Sequence, residues 1–192
     1  MTAADARIAV LDVGKSNVKL SACTALGEVV ETLATPNPVQ EGPPWRHHDL
    51  AALNGWVMQG LAALAARHPL SDVIASGHGS GAMLVGENPD AGGTGLVLPM
   101  VDYDQPLPDA VQRDYAALAG PFADRGSAMM MGASHIARQM FWAETAEPSG
   151  FARARHVLGL PQYWAWRLSG VAVSEVTILG AQSHLWNVAE GR

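Results

Sequence analysis

Ile8-Ala9-Val10-Leu11-Asp12-Val13-Gly14-Lys15-Ser16-Asn17-Val18-Lys19-Leu20-Ser21-Ala22-Cys23 is the stretch on which the fold turns. The apolar run Ile8 to Asp12, bounded by Gly14, suits a strand buried on both faces. After the turn, Val18, Leu20 and Ala22 alternate with Lys19, Ser21 and Cys23, a period of two that continues the chain as a second strand and not as a helix. Working outward, Gly27 marks another turn, and Glu28 to Leu33 is rich in β-formers, so a three-stranded meander is expected to end at Pro36. A Pro/Gly-rich loop from Thr35 to Trp45 follows. Asp49 then suits the N-cap of a helix that carries Leu50, Leu53, Val57, Leu61 and Leu64 at helical spacing and stops at His68-Pro69. Asp72 to Ser76 reads as a strand returning to the sheet, which makes a β-α-β unit.

Beyond it, Gly77-His78-Gly79-Ser80-Gly81-Ala82 is a loop, Glu87 to Gly95 is turn-like, and Leu96 to Val101 reads as another apolar strand before Asp102-Tyr103-Asp104. Helices are expected over Ala110 to Leu118, about Gly132 to Thr145, and Leu160 to Leu168; Val171 to Leu179 reads as extended. The Met129-Met130-Met131 run and the stretch Tyr163-Trp164-Ala165-Trp166 read as core packing. There is no internal repeat and no long linker, so residues 1–192 read as one domain.

The 192 residues are 48% hydrophobic, enough to bury a substantial core, and they carry a net charge of −6 with 12 Lys and Arg scattered singly. No basic stripe tracks a phosphate backbone, so nucleic acid is not an expected partner. No apolar run is long enough to span a bilayer, and the N-terminus lacks a signal-like apolar segment, so no membrane is expected either. A single cysteine, Cys23, allows no internal disulfide and fits a reducing cytoplasm.

Three constellations carry candidate chemistry. The turn Asp12-Val13-Gly14-Lys15-Ser16-Asn17-Val18-Lys19 places a carboxylate at a strand end before small and polar residues. Backbone N–H groups, Ser16 and Asn17 offer donors to phosphate oxygens, and Lys15 and Lys19 add positive charge. Asp12 repels a polyphosphate unless a divalent cation lies between them, so its natural role is to hold Mg²⁺. This is no Walker A loop, because a strand and not a helix follows the glycine. An ordinary hairpin turn explains the same residues. In the second, Gly77, Gly79 and Gly81 let backbone approach a ligand while His78 and Ser80 offer hydrogen bonds, although on spacing alone a solvated surface turn is the better fit. In the third, Asp102 and Asp104 can bind hydroxyls of a polyol or serve as loop polars. Gln162 is the residue of the Trp-rich helix suited to a ligand contact, and Gln182 and His184 suit either a carbohydrate pocket or an interface.

In order and spacing these segments resemble the FGGY family of carbohydrate kinases along almost the whole chain. The turn from Leu11 to Lys19 is similar to the family's first phosphate motif, Asp-x-Gly-Thr-x-Ser, with Lys15 in place of threonine. His78-Gly79-Ser80-Gly81-Ala82 sits where xylulokinase-like members carry Gln-Met-His-Gly-Ala, with Ser80 replacing a sugar-contacting histidine. Pro99 to Asp104 resembles the segment that ends in Trp-Asn-Asp, with Asp104 matching its acid. Leu160-Pro161-Gln162-Tyr163 through Arg167-Leu168-Ser169-Gly170 resembles the signature Leu-Pro-x-Asp/Lys-Tyr-x-x-x-Arg-Leu-Thr-Gly. Ser174 to Trp186 is similar to a variant found in rhamnulokinase-like and fuculokinase-like relatives.

The resemblance implies an α/β fold, an actin-like ATPase (ribonuclease H-like) lobe whose mixed sheet begins with an N-terminal β-meander flanked by helices. It implies ATP and Mg²⁺ as cofactors, with Asp12, Gly14, Lys15, Ser16, Asn17 and Lys19 on the nucleotide side and Asp12 on the metal. On the sugar side it implies His78, Gly79, Ser80, Asp102, Asp104, Gln162, Gln182 and His184. The general base and adenosine site are expected in a C-terminal lobe beyond this sequence. Expected partners are a ketose, deoxy sugar or polyol, that second lobe, and a second copy in a homodimer. A degenerate, non-catalytic carbohydrate-binding lobe is the alternative.

Overall fold

The computed structural model describes residues 5–192. The chain divides into two compact units, one comprising residues up to Pro38 together with Asp49–His78, the other Val39–His48 together with Gly79–Arg192.

The first unit is built on β1 (Ile8–Val13), β2 (Asn17–Cys23), β3 (Val29–Pro36) and a fourth strand, Asp72–Gly77, reached through the helix α1 (Leu50–Ala65). β1 pairs antiparallel with β2, β2 antiparallel with β3, and β1 parallel with Asp72–Gly77, giving a mixed four-stranded sheet. The strand period of two puts Ala9, Leu11 and Val13 of β1 and Val18, Leu20 and Ala22 of β2 on one buried face. β1 is therefore buried on one side, not on both as its apolar run suggested: Asp12 is exposed and Ile8 and Val10 are only half-buried. α1 covers the buried face with Leu50, Leu53, Val57 and Leu64. Gly60 lets it approach closely, since a Cβ there would lie 2.9 Å from the Leu20 side chain. Asp49 caps the helix as expected, accepting the Ala52 N–H at 2.9 Å.

At the far end of α1, Glu31 of β3 receives Arg67 through two nitrogens (3.1 and 2.7 Å) and lies 2.8 Å from His68 Nε2. The Arg67 hydrogen bonds, then that of His68, lower the Glu31 pKa from 4.5 to about 2. A carboxylate lowered on folding contributes stability above its unfolded pKa, and that contribution is lost as pH falls through the folded value. The melting temperature of the protein is therefore expected to fall on acidification from pH 4.5 to about 2. Thermal melts should show a shallower fall in E31Q, and parallel curves for the two proteins would refute the assignment.

In the second unit the chain forms the short pair β4 (Val39–Gln40) and β5 (His47–His48), with Asp72–Gly77 of the first unit counting as β6. β7 (Met83–Val85) pairs antiparallel with β8 (His156–Leu158). The helices are α2 (Asp109–Leu118), α3 (Phe122–Arg125), α4 (Ile136–Ala146), α5 (Pro148–Phe151), α6 (Leu160–Ser169) and α7 (Val176–Gln182). Trp45, Leu84, Leu98, Val101, Leu107, Val111, Ala133 and Ala143 form its core. Trp45 packs on Trp142 at 5.3 Å between ring centroids and donates its indole N–H to the Pro99 carbonyl. Tyr163, Trp164 and Trp166 of α6 are buried as expected.

Four expectations need correction. Leu96–Val101 is not a strand: Leu96 bridges Val85 and Val101 bridges His47 singly, and Pro99 between them has no N–H to continue a ladder. Helix α4 begins at Ile136, after a 3₁₀ turn over Gly132–Ser134. The extended tail turns helical at Val176, because the Glu175 carboxylate accepts the N–H groups of Thr177 and Ile178 and caps that end. The methionine run is not core: Met131 is 86% exposed, and Met129 to Met131 line a cavity of about 480 Å³ with Gln112 and Arg138.

Candidate functional site

The phosphate-type turn lies wholly in the first unit. β1 delivers Asp12 to the exposed face of the sheet, opposite Lys19 on β2 and beside Ser76 on β6. The hairpin closes with the Gly14 N–H bonded to Asn17 O at 3.0 Å. A Cβ at Gly14 would meet that same oxygen at 2.9 Å, so the turn is tight enough to require glycine. Asn37 completes it: its side chain donates to Gly14 O at 2.9 Å and its backbone N–H to Ser16 O at 2.9 Å. The carbonyls of Gly14, Ser16 and Asn17, which would repel an anion, thus all accept protein hydrogen bonds. Ser16 and Asn17 are exposed and Lys15 half-buried. Asn37 was not legible as part of this arrangement, since it stands 23 residues from Gly14 behind a strand.

The turn suits a polyphosphate with a cation. Among the described residues no group of three or more His, Cys, Asp or Glu is placed to hold a metal ion. Asp12 alone meets what Mg²⁺ asks of a protein, because that ion keeps several waters and takes its other ligands from substrate phosphates.

Among the sugar-side residues, His78 is half-buried and closes the first unit just after β6. In the second unit, Gly79 lies against Gln182 of α7; a Cβ on Gly79 would sit 3.2 Å from the Gln182 amide nitrogen. Gln162 folds back over Gly159, where a Cβ would meet its Oε1 at 2.5 Å and Ile178 of α7 at 3.1 Å. Ile178 and Gln182 are one helical turn apart, so both glutamines lie along the same face of α7. The Oε1 atoms of Gln162 and Gln182 are buried and accept no hydrogen bond. Ser80, half-buried, contributes its carbonyl to a bond with Gln139 on α4.

Asp102 and Asp104 have different fates. Asp102 is completely buried and ion-paired with Arg46 Nη2 at 2.9 Å, so its carboxylate holds the loop and does not present itself to a hydroxyl. It also accepts the Asp104 N–H at 3.3 Å, while Gln105 bonds both the N–H and the carbonyl of Arg46. Asp104 is exposed. Arg46 and Gln105 carry no local sequence signal, because the contact joins segments nearly sixty residues apart.

His184 has a left-handed backbone, φ 56°, rare for a non-glycine residue. Its Nδ1 lies 2.8 Å from Tyr115 Oη and its Nε2 3.1 Å from Arg125 Nη1. Arginine only donates, so Nε2 accepts and the neutral ring donates from Nδ1 to Tyr115. Burial, then the Arg125 charge, lowers the His184 pKa, in keeping with that neutral form. His135 packs on it at 4.2 Å between centroids, and burial drives the His135 pKa down to about 3. His184 lines a mainly apolar cavity of about 240 Å³ with Tyr115, Met140, Phe141 and Phe151. Its ring is thereby held by protein groups.

The strand order β3-β2-β1-β6, antiparallel meander followed by a parallel strand, is that of an actin-like ATPase domain of the ribonuclease H kind. A carbohydrate kinase from Novosphingobium aromaticivorans is similar to the chain with a TM-score of 0.82 and 34% identity over 95% of this chain and 38% of that one. A ligand-bound xylulose kinase from Lactobacillus acidophilus matches with TM-score 0.68 and 16% identity over 90% of this chain and 36% of that one. A glycerol kinase from Plasmodium falciparum, solved with ADP, gives TM-score 0.68 and 11% identity over 97% and 39%. No protein-family profile and no curated protein matches the chain. Along almost its whole length the chain is thus similar to carbohydrate kinases, in line with the resemblance to the FGGY family. It spans little more than a third of the length of these solved neighbours. Among the described residues no helix is long and apolar enough to cross a membrane.

Proposed function

We propose that the chain is the N-terminal lobe of an ATP-dependent kinase that phosphorylates a hydroxyl of a ketose, deoxy sugar or polyol. The observation that carries the sugar side is the pair of buried, unpartnered amide oxygens of Gln162 and Gln182 along α7. A buried acceptor left without a donor costs about 1–3 kcal/mol, a penalty that a ligand hydroxyl removes. Gly79 packs directly against the Gln182 side chain, so the glycine backbone and that amide stand together at one place. Asp104, exposed on its loop, is a further hydroxyl acceptor.

On the nucleotide side, Gly14 keeps the turn tight, Ser16 and Asn17 donate to phosphate oxygens, Lys15 and Lys19 supply positive charge, and Asp12 holds Mg²⁺. The ion, when bound, neutralises charge on the transferring phosphoryl group. This chain's residues act by positioning: each reactant is held, and the transfer becomes effectively unimolecular. The proton acceptor and the adenosine site belong to a second lobe. Residues 1–192 alone are accordingly expected to bind sugar weakly and not to turn over.

The test is Mg-ATP-dependent phosphorylation by the full-length gene product across ketoses, deoxyketoses and polyols. One class is expected to be phosphorylated, with Q182A raising the KM for that sugar roughly tenfold and leaving the KM for ATP unchanged. Absence of transfer to every sugar, or turnover by residues 1–192 alone, would defeat the proposal.

A further inference from the structure

Gln139 is a polar side chain at 1% exposure on α4, a helix whose neighbouring positions Ile136, Met140 and Ala143 face apolar surroundings. Its amide is hydrogen-bonded at both ends. Oε1 accepts the N–H of Ala82 at 3.0 Å, while Nε2 donates to the carbonyls of Ser80 at 2.7 Å and of Ala133 at 2.5 Å. The only assignment of oxygen and nitrogen that satisfies one N–H and two carbonyls is this one. Two of these bonds hold the peptide groups on either side of Gly81, so one side chain on a rigid helix fixes a glycine-rich segment that has little conformational preference of its own. The third ties the same amide to the turn that precedes α4. The same segment places Gly79 against Gln182, whose amide oxygen is one of the two unpartnered acceptors.

We propose that Gln139 is a positioning residue for sugar recognition: it touches no substrate, and it sets the loop Gly79–Ala82 at the height from which Gly79 and Gln182 meet the sugar. The inference rests on the kinase reading. With both amide hydrogens spent on carbonyls, and its oxygen bonded to Ala82 and buried at 1% exposure, Gln139 has no donor left and no open path to a ligand. Loss of the clamp therefore acts through the loop. Misplacing a binding group by about an ångström weakens binding or reaction by up to a hundredfold, and here the loss falls on the sugar and not on the nucleotide.

Two variants of the full-length enzyme test it. Q139M keeps the length and removes all three hydrogen bonds; it is expected to raise the sugar KM roughly tenfold or more at every pH, with kcat and the KM for ATP within about twofold of wild type. Q139E keeps the shape and depends on protonation. A neutral carboxyl accepts from Ala82 and donates once, whereas an ionised one faces two carbonyl oxygens, and burial raises such a group's pKa. Its sugar KM relative to wild type should therefore climb between about pH 6 and pH 9, a profile that a merely structural lesion would not produce. Should Q139M fail to fold, Q139E decides alone. Wild-type sugar KM in both variants, or equal rises in the sugar and ATP constants, would overturn the assignment. If the wild-type enzyme phosphorylates no sugar, the kinase reading itself falls and takes this inference with it; an active wild type with indifferent variants overturns the role of Gln139 alone.

Discussion

Replacing Asp12 by alanine is expected to lower kcat/KM of the full-length enzyme by on the order of 10³, equivalent to about 4 kcal/mol of transition-state stabilisation, with little change in folding stability. The contrast follows from where Asp12 stands. It is exposed at the end of β1, opposite Lys19, and no side-chain hydrogen bond or ion pair holds it among the described residues. Its removal therefore breaks nothing in the fold, and surface changes of that kind stay within about 0.5 kcal/mol. In the proposed function, what it takes away is the charge that holds a cation against phosphates at the Gly14 turn. Steady-state kinetics with saturating Mg²⁺, beside thermal melts and calorimetric titration with sugar, separate the effects. Sugar affinity should be preserved. An active D12A, or one inactive because it is unfolded, would remove Asp12 from the phosphate site.

Replacing Arg46 by methionine should produce the largest loss of stability, about 3–5 kcal/mol, because it removes the cation that is ion-paired with the wholly buried Asp102 carboxylate. For a chain of this length that corresponds to a fall in melting temperature of roughly 6–20 °C. Arg46 is itself 38% exposed, so the converse change, D102N, costs less: the guanidinium still reaches water. The double variant R46M/D102N should regain much of the loss, since the charge is what cannot be buried alone. Differential scanning calorimetry of the three variants checks this. R46M within about 1 kcal/mol of wild type would mean that the pair contributes nothing.

How far the sequence could be read depended on the range of the interactions. The hairpin Ile8 to Cys23, the cap at Asp49 and the stripe from Leu50 to Leu64 were legible because alternation, capping and helical spacing are local rules, each satisfied within a few residues. The pairing of β7 with β8 was not, since two three-residue strands some seventy positions apart have no periodicity to display. Leu96–Val101 misled for a related reason: its apolar run marks burial, and burial in a loop stapled by Trp45 and His47 looks the same in sequence as burial in a strand. In the candidate site, Asp12 and Gly14 announce themselves by composition. Gln162 and Gln182 could be singled out as polar residues near aromatics, but only the structure shows their amide oxygens unpartnered. Gln139 left one overlooked trace, a polar residue on the buried stripe of an amphipathic helix.

The excursion through Val39–His48 has a consequence for synthesis. Trp45 finds its carbonyl partner at Pro99, 54 residues later, and Arg46 finds Gln105 after 59. At a translation rate of about 5–20 residues per second, Trp45 leaves the ribosome roughly 3–10 s before its binding groove exists. Throughout that interval a large aromatic ring and an unneutralised guanidinium hang from a nascent chain whose strands before them and helix after them are already free to assemble.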